Sequence, residues 1–266
     1  MNSKKLTLLG MSGVGKTHLA KILSRDEKWF HYSGDYRIGS HYLNDNILSD
    51  VRQKMMQDEY LATLLLDNSI KITNNISIDN LSSVSHFLGK VGNPNIGGLP
   101  LGEFNYRQNL HLDAEKNAML DVGKFIKKSA KLGINNFIND AGGSLCEIDD
   151  AKIYQYLADE TTIIYIRPSE KTKQTLIERA KTKPKPLYYN PDFFKKQVKK
   201  YLKKHNFSYA AQINPDAFVR DIFPNLVEYR VPKYQAIADK YGITINADDM
   251  YLCKTSADFF DLVGVE

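Results

Sequence analysis

Near the amino terminus, Gly10-Met11-Ser12-Gly13-Val14-Gly15-Lys16-Thr17 sets three glycines, a lysine and two hydroxyl side chains into eight positions. Glycines let the backbone curl until successive N–H groups point into one space, and a following helix adds the positive end of its dipole. A lysine in that cradle reaches the outer phosphates of a nucleoside triphosphate, and the threonine hydroxyl ligates Mg²⁺. The string fits G-x-x-x-x-G-K-[ST] in full. The expected nucleotide-binding residues are therefore Gly10, Ser12, Gly13, Val14, Gly15, Lys16, Thr17 and His18. A Gly-rich structural turn is the competing reading, but an apolar strand pattern precedes the loop and a helical pattern follows it. No Asn-Lys-x-Asp element, the usual guanine reader, occurs in the chain, so ATP is expected rather than GTP.

Phosphoryl transfer also needs a metal carboxylate, a base for the acceptor and cations over the γ-phosphate. Asp35, in Ser33-Gly34-Asp35-Tyr36-Arg37, falls where a second strand ends, and a carboxylate there can take the acceptor's proton or hold metal-bound water. An Asx-type turn beside Gly34 would explain it as well. Asn139-Asp140-Ala141-Gly142-Gly143-Ser144 follows the apolar run 134–138, so Asp140 has the setting of a Walker-B-type metal ligand. Gly142 and Gly143 would let a substrate approach the backbone, unless the segment merely turns the chain. Arg179 ends a helical pattern and leads into a lysine-rich stretch broken by Pro184 and Pro186. Cations on such a loop can close over a triphosphate. Lys16, Asp35, Asp140 and Arg179 form the expected catalytic set, with Thr17 and Asp140 as metal ligands.

The elements that must position these groups alternate. Lys5–Leu9 reads as a strand and 18–25 as a helix; 134–138, 161–166 and 243–246 read as further strands. Helical spacing covers 44–75, 114–131, 172–180 and 258–263. This predicts an α/β chain, a three-layer P-loop NTPase fold with a parallel sheet flanked by helices. One domain spanning 1–266 is expected, with a helical substrate-binding insertion over about 40–130 and a lid with a basic helix over about 179–210. A Gly/Pro/Asn-rich loop is expected between Gly89 and Gly102, and the stretch from Gly97 to Gln108 reads as a Gly-rich loop carrying Arg107, Gln108 and, just beyond, His111. Such groups beside a phosphate site suit an acceptor, although a solvated surface loop fits the same residues.

These pieces resemble the small-molecule kinases of the shikimate kinase and gluconate kinase type, within the adenylate-kinase-like group. The loop form G-x-S-G-x-G-K-T is typical of them, and Ala141-Gly142-Gly143 falls where shikimate kinases carry a Gly-Gly-Gly substrate loop. Arg230-Val231-Pro232-Lys233-Tyr234 through Ala238-Asp239 is similar to their Arg-x-Pro-Leu-Tyr…Ala-Asp run. The resemblance implies that Arg230 contacts the substrate, and that Asp248 and Asp249 lie near the adenine side. Where shikimate kinases have Asp-x-Asp after the second strand, this chain has Asp35 and Arg37. Arg37 and Arg107 join Gly142, Gly143 and Arg230 as expected acceptor contacts. The reaction class carries over from the resemblance; the acceptor does not.

Bulk properties agree. The 266 residues are 42% hydrophobic and 25% charged, with a net charge of +5. No apolar run approaches the roughly 20 residues needed to span a bilayer. The opening Met1-Asn2-Ser3-Lys4-Lys5 and the short apolar run after it are too brief for a signal-peptide core. Two cysteines far apart indicate neither a disulfide framework nor a zinc site, so a reducing cytoplasm is the expected setting. Metalloprotease His spacing and a Gly-x-Ser-x-Gly elbow are absent. Segment 193–204 reads as an amphipathic basic helix, which suits a solvated face or binding to RNA phosphates. The sequence thus predicts an ATP- and Mg²⁺-dependent phosphotransferase for a small polar acceptor. Its rivals are an ATPase driving a partner protein and a nucleotide-gated RNA- or protein-binding module.

Overall fold

Five apolar runs pair side by side as parallel strands: β1 (Lys5–Leu9), β2 (Trp29–Ser33), β3 (Asn136–Asp140), β4 (Thr162–Arg167) and β5 (Gly242–Asn246). The computed structural model describes residues 4–26 and 28–264, so Met1-Asn2-Ser3 of the amino-terminal stretch lie outside it. The strand order is β2-β3-β1-β4-β5. Both faces of the sheet are covered, which is why Leu6, Leu8, Phe137, Ile138 and Ile163 through Ile166 are all buried rather than alternating with polar residues.

The helices, in chain order, are α1 (Lys16–Asp26), α2 (Gly34–Arg37), α3 (Asn44–Met55), α4 (Glu59–Leu66), α5 (Ser82–Leu88), α6 (Leu101–Leu120), α7 (Val122–Lys131), α8 (Ala151–Glu160), α9 (Glu170–Thr182), α10 (Pro191–His205), α11 (Pro215–Tyr241), α12 (Ala247–Leu252) and α13 (Ser256–Val263). One outer layer is α1 with α13; the other is α7, α8 and α11. The result is a three-layer α/β P-loop fold. Helices α2 to α7 lie between β2 and β3, covering the stretch expected to be an insertion. No helix among the described residues is long and apolar enough to cross a membrane.

Several elements differ from their sequence reading. The helix expected over 114–131 is two helices, and the first begins at Leu101, directly after the extended Pro100 (ψ 146°). The supposed loop from Gly97 to Gln108 is therefore helical over most of its length. Strand β3 starts two residues later than 134–138, because the Ile134 N–H still closes the α7 terminus on the Ser129 carbonyl (3.0 Å). Helical structure in 44–75 ends at Leu66. The Arg230 run lies in one continuous helix, α11, with Pro224 and Pro232 inside it. Helix α13 starts at Ser256 because Thr255 and Asp258 form a reciprocal cap.

Candidate active site

Register brings the chemistry to one edge of the sheet. Ser33 lies opposite Asp140, and Asp140 opposite Leu8, so the carboxyl ends of β1, β2 and β3 open on a common cleft. Between β1 and α1, Gly13 (φ 93°) and Gly15 (φ 107°) take the left-handed conformations that curl the loop. Val14, fully buried, pins that loop to the core. The Lys16 ammonium folds back to donate to the carbonyls of Gly10 (2.7 Å) and Met11 (3.3 Å). Burial lowers its pKa, opposed by the charges of Asp140 and Asp35.

Thr17 Oγ1 donates to Asp140 Oδ2 at 2.6 Å, and His31 Nε2 stands 3.7 Å from the same oxygen. Burial works against the Asp140 charge, but His31, Lys16 and the Thr17 hydroxyl together hold its carboxyl below the ordinary range. Asp35 sits in the first turn of α2, started by the Ser33 side chain accepting from the Tyr36 N–H (3.2 Å). Loss of water raises the Asp35 pKa, Lys16 opposing and Asp140 adding to it. The loop after β3 presses on the phosphate loop: a Cβ on Gly143 would stand 2.7 Å from the Ser12 nitrogen. A Cβ on Gly142 would stand 2.5 Å from Glu115 Oε1 and 3.0 Å from Asp35 Oδ1.

Two cavities adjoin here. The first, about 190 Å³, is lined by Ser12, Lys16, Thr17, His18, Asp35 and Asp140, with Tyr251 at its side. The second, about 240 Å³, shares Ser12, Asp35, Leu81 and Gly143 with the first and adds His111, Ser144, Tyr188 and Arg230. A third, about 350 Å³, runs from Gly13 along exposed Arg179, Lys183 and Lys185 to Leu187, Val219 and Phe223. The Arg179 guanidinium makes no hydrogen bond or ion pair to the described residues and lies beside Gly13.

Lys16, Thr17, Asp35, Asp140, Gly143 and Arg230 thus converge, and Arg179 flanks them. Arg37 and Arg107 do not reach the cavities. Arg37 is held by Asp121 (2.6 Å) over the Phe125 ring, and buried Arg107 is spent on Glu103, Asp50 and the Phe87 carbonyl. A guanidinium so enclosed by carboxylates serves packing. Gln108 likewise ties α6 to the Leu187 carbonyl and the Tyr189 N–H. Arg230 borders the second cavity, yet its three nitrogens already donate to Glu147, the Gly143 carbonyl (2.9 Å) and the Tyr188 carbonyl (2.8 Å). Burial disfavours its charge, and Glu147 restores it. Asp248 and Asp249 bond to Ser169 and Asn246 and line none of these cavities.

Glu115, Ser144, Tyr188 and Tyr251 were not singled out from the sequence. The buried face of α6 carries Arg107, Gln108, His111 and Glu115 among Phe104, Ala114 and Ala118. Polar groups at helical spacing on an apolar stripe were the available signal. Glu115 is fully buried, accepts from Ser144 Oγ at 2.8 Å, and leaves Oε1 unpartnered. Burial pushes its pKa up to about 8 and pulls that of His111 down to about 4.

The residues fit Mg²⁺ with a triphosphate. Among the described residues no group of three or more His, Cys, Asp or Glu could hold a metal ion. The close Thr17–Asp140 pair beside a phosphate cradle suits an ion that takes its other ligands from phosphates and water.

Fold and cleft together define a P-loop α/β protein of the three-layer, parallel-sheet class. No family model matches the sequence, and no curated protein matches it. Among solved structures the chain is similar to a shikimate kinase from Bacteroides thetaiotaomicron, at 15% identity and a TM-score of 0.44, over 98% of this chain and 94% of that one.

Proposed function

We propose that this protein transfers the γ-phosphoryl group of ATP to a hydroxyl of a small polar acceptor. One observation carries the reading: Asp35 borders both the cavity floored by Lys16 and Thr17 and the adjoining cavity lined by His111, Ser144 and Tyr188. A carboxylate on that boundary stands between a phosphate donor and an acceptor hydroxyl. The site residues supporting it are Lys16, Thr17, Asp35, Asp140 and Arg179.

In the reaction the acceptor oxygen bonds to the γ-phosphorus, the bridging P–O bond to ADP breaks, and Asp35 takes the acceptor's proton. Lys16 leaves the Gly10 and Met11 carbonyls for the phosphates, and Arg179 neutralises charge on the outer oxygens. Thr17 and Asp140 would hold Mg²⁺. When bound, that ion neutralises phosphate charge and aligns the transferring group. Helices α5 and α6 of the insertion supply the acceptor wall, and the irregular segment 183–190 covers it.

Acceptor-dependent ADP release across sugars, polyols, nucleosides and hydroxy acids tests the proposal. ADP release that no acceptor stimulates would replace it with simple hydrolysis. Lys16→Ala should abolish triphosphate binding by calorimetry. Asp35→Asn should bind ATP normally yet lose about 10²–10⁴-fold in kcat.

A further inference from the structure

We infer that the acceptor is an uncharged polyhydroxy compound, a sugar or polyol, whose non-reacting hydroxyls are read by Ser144, Tyr188 and His111 in the cavity they share with Asp35. This rests on the phosphoryl-transfer reading above and specifies its second substrate.

The cavity wall holds polar atoms that the protein does not satisfy. His111 is 7% exposed and Tyr188 3%, and neither His111 Nδ1 nor the Tyr188 hydroxyl has a hydrogen-bond partner. Their rings stack at 5.4 Å, so the two groups belong to one surface. Ser144 Oγ gives its proton to Glu115, which leaves its lone pairs to accept from a ligand. A buried polar atom without a partner is costly, and a hydroxyl can donate to one such atom while accepting from another. Glu115 acts through Ser144 and is a positioning residue. The Gly142 backbone holds Asp35 Oδ1 and Glu115 Oε1 against one point, so neighbouring hydroxyls of a single molecule can reach Asp35 and Ser144 together.

The enclosed cation of the same wall is already claimed by protein oxygens. Arg230 has Glu147 as its counter-charge and three nitrogens engaged by protein oxygens. Burial keeps His111 uncharged near neutrality. Lys185 borders the cavity, but from an exposed position. A carboxylate on the acceptor would be stripped of water next to Asp35, and the exposed, solvent-screened Lys185 would offset little of that cost.

Matched probes decide the matter: glucose with gluconate, ribose with ribonate, glycerol with glycerate, and glucosamine as the amine. Acceptor-dependent ADP release should be found with at least one neutral member. Its acid partner should be at least 10-fold poorer in kcat/KM. Tyr188→Phe should raise the acceptor KM about 10-fold, leave ATP affinity unchanged and leave Tm equal or higher, since the lost hydroxyl was unpartnered. Preference for a sugar acid or for glucosamine, or an acceptor KM unmoved in Tyr188→Phe, would overturn the inference while leaving phosphoryl transfer standing. If none of these probes stimulates ADP release but a nucleoside or another hydroxy acid does, the inference falls and phosphoryl transfer stands; if no acceptor of any class does although ATP binds, both fall.

Discussion

Asp140, Asp35 and Glu115 belong to one cleft, but their surroundings drive them apart. Asp140 is kept ionised by Lys16, His31 and the Thr17 hydroxyl, which suits the metal-ligand role proposed for it. Asp35 is pushed upward by loss of water, the direction that makes a carboxylate a better proton acceptor. Glu115, fully enclosed, is raised to about 8 and is protonated over most of the physiological range. Its pKa is therefore higher folded than unfolded. The stability it contributes is present below its unfolded value and is lost as pH rises towards 8. Thermal unfolding at pH 5.5 and pH 8 should show the wild-type protein losing more stability over that span than Glu115→Gln, by on the order of a few kcal/mol. Parallel losses in the two proteins would show that Glu115 does not titrate there.

Secondary-structure elements meet at Arg230. From α11 it reaches Glu147, the Gly143 carbonyl in the loop after β3, and the Tyr188 carbonyl in the segment above the cavity. One guanidinium thereby fixes three walls of the cleft. Arg230→Met leaves Glu147 buried without its counter-charge and should cost about 3–5 kcal/mol in urea unfolding. Adding Glu147→Leu should recover much of that loss, and a double-mutant cycle measures the coupling. Gly143 itself allows the loop after β3 to lie against Ser12. Gly143→Ala should force these backbones apart, destabilise the protein by about 1–3 kcal/mol and weaken ATP binding in the same calorimetric assay.

For the whole molecule, the parallel sheet decides where the proposed site can lie, because β1, β2 and β3 end on one edge. The positive charge is distributed differently. Helix α10 buries Phe193, Phe194, Val198 and Tyr201 and exposes Lys195, Lys196, Lys199, Lys200 and Lys203, away from the phosphate loop in sequence and lining none of the cavities described. Lys204, at the end of the helix, pairs with Asp221 on α11. Replacing those five exposed lysines with glutamine should change unfolding stability by less than about 0.5 kcal/mol per residue and leave acceptor-dependent turnover intact. Loss of turnover, or loss of a salt-sensitive RNA complex in a filter-binding assay, would give this face a functional role.

The sequence alone determined the phosphate loop, the alternation of strands and helices, and the placement of Asp35 and Asp140 at strand ends. These follow from local rules: glycine conformations, apolar runs and the positions where strands stop. Its local patterns could not decide which polar residues face the acceptor. Arg37, Arg107 and Arg230 look alike in sequence, yet Asp121, Asp50 and Glu147, distant along the chain or on another element, claim their charges. Glu115 and His111 lie on a helix whose polar buried face blurs the amphipathic pattern, and Tyr188 is brought to them by the Gln108 contacts. Only the tertiary structure settles such pairings, because a side chain's hydrogen-bond partners depend on which elements pack together. The phosphate loop is written in consecutive residues, and the wall proposed for the acceptor is assembled from α6, the loop after β3 and the segment before α10.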